Sequence, residues 1–149
     1  MIRKATIEDM DALLRMSEEF IKEAPYTVPY DEGTCIETIS NILKAEEEDA
    51  VLLVGEVEGG VVGMFAGLLV PVYYNKNFKQ SSEWFWWVDV DHRNSSIGRE
   101  LFEAYEDWAK FYGAHQINCC TMSSNKSLVS WFEKKGYTNK EFFCSKEVA

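Results

Sequence analysis

Trp87-Val-Asp-Val-Asp-His-Arg-Asn-Ser-Ser-Ile-Gly-Arg-Glu-Leu-Phe102 joins an apolar strand to an amphipathic helix through a turn of small residues. A helix that begins after such a turn points unpaired backbone N–H groups, and the positive end of its dipole, at whatever lies above it. The stretch is therefore an anion cradle, and a pyrophosphate is the anion that best suits several convergent amides.

The elements on either side follow from spacing. Ile2 to Ala5 is a short strand; Thr6, with Asp9 three residues on, resembles a capping box and predicts a helix from about Ile7 to Lys22, broken by Pro25 and Pro29. Ile36, Ile39, Ile42 and Leu43 recur at helical spacing within Asp31 to Ala45. Val51 to Val57 and Val61 to Val70 are β-rich runs separated by Glu58-Gly-Gly60, a strong hairpin signal. Tyr73 to Ser82 is polar and is expected as a loop, followed by a strand from Glu83 to Val90. Strict alternation along that strand would send two of Trp84, Phe85, Trp86 and Trp87 to each face. The helix after the turn, Ile97 to about Tyr112, gathers Leu101, Phe102, Tyr105, Trp108 and Ala109 on one side and stops at Gly113. A strand over Gln116 to Thr121, a helix over Lys126 to Lys135 and a final pair of strands within Tyr137 to Lys146 complete the order. Strands first, then strand-helix-strand-helix, predict a mixed α/β sheet with helices on both faces.

Composition narrows the function classes. A chain of 149 residues fits one domain, expected to run over residues 1–149 without an internal linker or repeat. The longest apolar stretch, Val61 to Val72, is far short of the roughly 20 residues that cross a bilayer, and the opening residues carry acids where a signal peptide is apolar. A soluble, cytoplasmic protein without a membrane partner is expected. Cys35, Cys119, Cys120 and Cys144 show no Cys-x-x-Cys spacing, and His92 and His115 match no zinc pattern, so no metal is expected. A net charge of −10 argues against nucleic acid, whose phosphates need clustered Lys and Arg, and suits a cationic partner.

Three segments together carry a family resemblance. Arg93-Asn-Ser-Ser-Ile-Gly98 resembles the phosphate loop of the GNAT (GCN5-related) N-acetyltransferases, with Ser96 where that loop usually has its first glycine. Ile2-Arg-Lys-Ala-Thr6 followed by Asp9 and Leu13 is similar to the family's opening strand and first helix. Asn125-Lys-Ser-Leu-Val-Ser-Trp-Phe-Glu-Lys-Lys-Gly-Tyr137 is similar to its late segment, an Asn, a short helix and a Gly-aromatic pair. The resemblance implies a GNAT-like central sheet, splayed open between the strand before the turn and the strand after its helix, with acetyl-CoA wedged into the gap.

What the resemblance implies for chemistry can be stated by residue. The pyrophosphate falls to Asn94, Ser95, Ser96, Ile97, Gly98 and Arg99, with Arg93 and Arg99 as candidate charged partners and the Ser96 hydroxyl as a further donor. The pantetheine arm falls to the strand edge Val88, Asp89 and Val90, in the manner of an added strand, and to Asn125, which could equally be a plain helix cap. An amine must lose its proton before it attacks a thioester, so a base is needed. Glu83 stands near where such a base is carried, with Asp89 or Asp91 as substitutes. The position that usually holds a thiolate-protonating Tyr is Phe132 here, leaving water, Tyr105 or Ser127, or unassisted departure. The implied activity is transfer of an acetyl group to a small-molecule amine or a protein amino group. The alternative is an inactive acyl-CoA-binding or protein-interaction module. Family members also pair through late strands, which implies a homodimer.

Overall fold

The computed structural model describes residues 1–122, 124–141, 143–146 and 148, and the chain divides into two compact units, Met1–Cys119 and Cys120–Ala149. In the first unit β1 (Ile2–Lys4), β2 (Ala50–Val57), β3 (Gly60–Val72), β4 (Asn75–Val88) and β5 (Gln116–Asn118) form one sheet in chain order. The first four strands pair antiparallel; β5 joins β4 in parallel after the crossover helix α3 (Ile97–Phe111). Helices α1 (Met10–Glu23) and α2 (Glu32–Lys44) precede β2.

The apolar stripes bury on opposite faces. Leu13 and Met16 of α1 and Ile39 and Ile42 of α2 pack with Leu52, Val54, Met64, Ala66 and Trp87 of the sheet. On the other face Phe65 stacks on Tyr105 with centroids 4.5 Å apart, and Phe102 lies edge-on to Phe65 at 6.0 Å. Small sheet residues admit α3 closely: a Cβ on Gly67 would fall 2.5 Å from the Tyr105 ring, and one on Gly63 2.9 Å from Leu101.

Local chemistry sets the boundaries. Asp9 accepts the Thr6 amide at 2.8 Å and both terminal nitrogens of Arg3, each at 2.8 Å, so the expected box forms and ties β1 to the helix entrance. One tight turn, Ile7–Asp9, precedes α1. The Asp31 carboxylate caps α2 by accepting the Thr34 amide at 2.7 Å. The β2–β3 hairpin turns on Glu58 and Gly59, both at positive φ, with Gly60 already in strand. Such left-handed pairs match the twist of the flanking strands.

Two expectations about β4 are corrected. The polar stretch from Asn75 to Ser82 is strand, not loop, because it pairs with Leu68–Val72 across a hairpin that turns at Tyr73 and Tyr74. Ladder pairing outweighs the weak strand preference of Asn, Lys and Gln. The strict alternation of the four aromatics also fails. Ala66 pairs with Phe85 and Gly67 with Glu83, so Trp84 is an extra, bulged residue, 50 % exposed. Beyond the bulge the phase reverses. Ser81 faces Tyr105, yet Phe85 and Trp87 face the α1–α2 core and Trp86 turns to Phe65 and Phe102.

In the second unit, α4 (Lys126–Lys134) is capped by Asn125, whose side chain accepts the Leu128 amide at 3.1 Å. Phe132 is buried and lies 5.5 Å from the Tyr137 ring. The final strands expected within Tyr137 to Lys146 do not form among the described residues. A strand exists only where a ladder partner does, and Thr138-Asn139-Lys140-Glu141 has little apolar character to hold one. Phe142, within that stretch, lies outside the described residues.

Candidate cofactor site

Strand β4 has two different ends. Gln80, Ser81 and Ser82 pair with Gln116, Ile117 and Asn118; beyond Ser82 the ladder with β5 stops while β4 runs on for six residues. Among the described residues, β4 therefore has no ladder partner on its β5 side from Glu83 onward. The closed end is fastened by Tyr105: its hydroxyl lies 2.9 Å from the Ser81 hydroxyl and donates to the Asn118 carbonyl at 3.1 Å. Ser81 and Tyr105 are both fully buried.

The open edge presents backbone groups in a defined phase. The Asp89 amide donates to the Val62 carbonyl at 2.8 Å, and Trp87 and Phe85 occupy the equivalent register positions against Met64 and Ala66. Antiparallel geometry then turns the N–H and C=O of Trp86 and Val88 away from β3, toward the gap. Of the edge residues expected from the sequence, Val88 is at the gap, whereas Asp89 has its amide on β3 and its carboxylate on Arg15 at 2.9 and 3.0 Å. Val90 opens the tight turn Val90–His92. Trp86 was not singled out, since only the bulge reveals which alternate residues face outward.

After β4 the chain folds back on itself. The Arg93 amide bonds the Val90 carbonyl at 3.4 Å and the Ser95 amide the His92 carbonyl at 3.0 Å, so these donors are used inside the turn. The donors aimed outward come from the first turn of α3, where Ile97, Gly98 and Arg99 lack a helical carbonyl partner. Ile97 leans on the Ser95 hydroxyl at 3.3 Å. A Cβ on Gly98 would sit 3.5 Å from Val88 and 3.6 Å from Trp86, so the helix end comes down directly beside the open edge. Ser96 has φ −77° and ψ −11°, a conformation any residue adopts, which explains why glycine is not required there. Its hydroxyl donates to the Glu100 carboxylate rather than standing free for a ligand. Asn94 is exposed, and Arg99 reaches Glu103 only at 3.9 Å.

Arg93 is the clearest difference from expectation. Its two terminal nitrogens fork onto Glu23 at 2.9 and 2.8 Å, its Nε donates to the Val88 carbonyl at 2.9 Å, and its guanidinium lies 4.4 Å over the Trp87 ring. Every side-chain nitrogen of Arg93 is thus engaged within the fold. Tyr105 and Ser127, expected as alternative proton donors, are likewise committed, the latter to Asn125 Oδ1 at 3.0 Å. Glu83 is half-buried and is the first residue of the opening, opposite Gly67 and next to the bulge. Asp91 is exposed in the turn.

A helix end and an open strand edge side by side suit a ligand with an anionic head and an extended amide-bearing arm. Two hollows border this unit, one of about 390 Å³ lined by Ala5, Thr6, Ile7, Ser40, Leu43 and Lys44, and one of about 280 Å³ lined by Glu19, Lys22, Glu23, Trp87 and Val90. Only the second touches the phosphate turn. Among the described residues no group of three His, Cys, Asp or Glu side chains could hold a metal ion, and no helix is long and apolar enough to cross a membrane.

The family model described as "Acetyltransferase (GNAT) family" matches residues 13–137. Solved structures with the same fold include a transcriptional regulator from Bacillus halodurans C-125, 18 % identical with TM-score 0.79 and 99 % of each chain covered. A glucosamine-6-phosphate N-acetyltransferase from Arabidopsis thaliana is 20 % identical with TM-score 0.78, covering 100 % of this chain and 98 % of that one. An aminoglycoside 6′-N-acetyltransferase from Acinetobacter haemolyticus is 16 % identical with TM-score 0.73, covering 100 % and 99 %. No curated protein sequence matches the chain.

Proposed function

Because this chain belongs to the GNAT acetyltransferase family, we propose that it is an acetyl-CoA-dependent N-acetyltransferase that acts by direct attack of an amine on the thioester. The observation that carries this reading is that the β4–β5 ladder ends at Ser82 while the first turn of α3 comes down beside Trp86 and Val88. The amides of Ile97, Gly98 and Arg99 receive the pyrophosphate, and the Trp86 and Val88 edge receives the pantetheine as an extra strand. Bound acetyl-CoA supplies an activated acyl carbon with a thiolate leaving group.

The residues of this chain do the rest. Glu83, at the mouth of the opening, takes the proton from the acceptor ammonium directly or through one water. The Val88 amide donates to the carbonyl oxygen as charge collects there. With the Tyr105 hydroxyl committed to Asn118, the departing sulfur receives through water the proton that the attacking nitrogen sheds on becoming an amide, and a thiol pKa of about 8.5 tolerates departure as thiolate. The acceptor is a small cationic amine, a choice supported by the net charge of −10 and by the amine substrates named for two fold neighbours. The whole chain works as one domain in the cytoplasm, in keeping with four cysteines that show no Cys-x-x-Cys spacing.

Thiol release from acetyl-CoA, measured against a panel of mono- and polyamines, tests this directly. Turnover on at least one amine is expected, with Glu83→Gln lowering kcat by about a hundredfold or more. Tight coenzyme A binding with no turnover, indifferent to Glu83→Gln, favours a second reading that Phe132 motivates: a binding module without catalysis.

A further inference from the structure

Helix α1 and the phosphate turn are joined by two ion pairs of opposite sense. Arg15 of α1 forks onto Asp89 at 3.0 and 2.9 Å, while Glu23, two helical turns later, receives the fork of Arg93 at 2.9 and 2.8 Å. Positions 15, 19 and 23 lie on one stripe of the helix. Arg15, which also meets Glu19 at 3.2 Å, and Glu23 thus each face a charge of opposite sign on the turn, Asp89 and Arg93 respectively. Trp87 ties the two pairs into one unit: its Nε1 donates to Asp89 at 3.2 Å and its ring lies beneath Arg93. Planar, bidentate forks of this kind also fix orientation, which a single point charge does not.

We propose that Glu23 and Arg93 are positioning residues for cofactor binding: with Arg15 and Asp89 they clamp the turn to α1 in the shape that aims the α3 amides, and Arg93 makes no direct phosphate contact. This rests on the acetyl-CoA reading above and assigns Arg93 a different part in it. Three of the five guanidinium N–H groups are taken by Glu23 and the Val88 carbonyl, so these contacts fix the direction of the Arg93 side chain.

Calorimetry of coenzyme A binding to the full chain separates the two roles by sign. Glu23→Gln breaks the clamp yet frees Arg93 and removes a negative charge. The clamp predicts that affinity falls about threefold to fivefold; a phosphate-binding Arg93 predicts that it stays or rises. The exchange Glu23→Arg with Arg93→Glu restores affinity to within about twofold of the parent if the clamp operates, while Arg93→Glu alone remains weak. Thermal midpoints taken alongside should move little, since Glu23 and Arg93 are 52 % and 36 % exposed. Unchanged or tighter binding by Glu23→Gln, or an exchange no better than Arg93→Glu alone, overturns the clamp and leaves the cofactor reading intact. Failure of the parent protein to bind coenzyme A overturns both.

Discussion

At Ser82 strand β4 has a neighbour on either side; at Val88 it has one. The two ends, about six residues apart, are held by different physics. The closed end relies on buried, uncharged contacts: the Tyr105 hydroxyl between Ser81 and Asn118, and the Tyr105 ring between Phe65 and Trp108. The open end relies on charged pairs at the surface, Arg15 with Asp89 and Arg93 with Glu23. Buried packing is stiff and insensitive to salt, whereas exposed ion pairs are weaker and screened. A sheet so built opens at a fixed point and leaves the mouth adjustable.

The comparison is broken most severely by Tyr105→Ala. Removing a fully buried ring from this stack should cost about 3–5 kcal/mol, seen as a lower urea midpoint. A contrast outside both ends comes from acid. Asp9 is 7 % exposed, and the Arg3 guanidinium bonded to it, with help from the Thr6 amide, holds its carboxyl below the usual range despite the opposing effect of burial. That stabilisation is complete above the ordinary carboxylate pKa of about 4 and is lost as pH falls through the lowered native value. Asp9→Asn should cost about 2 kcal/mol at neutral pH and flatten this part of the acid limb in urea titrations taken from pH 7 downward.

Tyr105→Phe sharpens the comparison. It keeps the ring and removes only the hydroxyl, so a loss of about 1–2 kcal/mol in the same assay measures the fastening of β5 alone. At the open end Gly98→Ala should be the mildest change. Its Cβ meets Val88 and Trp86 at ordinary contact distance, and the helical backbone gains up to about 0.5 kcal/mol. Stability that drops by more than about 1 kcal/mol would show that the helix end sits more tightly on β4 than these distances imply.

Much of this was legible in the residues. Apolar periodicity located α2 and α3 to within a few positions, because each buries one stripe, and the Thr6–Asp9 capping signal with Pro25 bounded α1. The Gly-Gly pair in Glu58-Gly-Gly60 signalled the hairpin, although the turn itself falls on Glu58 and Gly59. The strand over Asn75 to Ser82, where a loop was expected from Tyr73 to Ser82, was not recoverable, since a polar strand is held by its neighbour's ladder and not by its own composition. Asn125 carried a visible capping signal, and its cap is what forms. Arg93 looked like an anion ligand because spacing along a chain cannot show that Glu23, seventy residues earlier, sits against it.

What the amino-acid order determined, then, is the succession of elements, the amide-rich helix start at Ile97 and the family to which the chain belongs. All of these depend on interactions within a few residues or on periodic burial. Only the tertiary structure decided where β4 and β5 part, which alternate amides face the gap once Trp84 bulges, and which charges on α1 the turn meets. Each of those is a relation between segments distant in sequence, set by register and packing, and no local pattern encodes it.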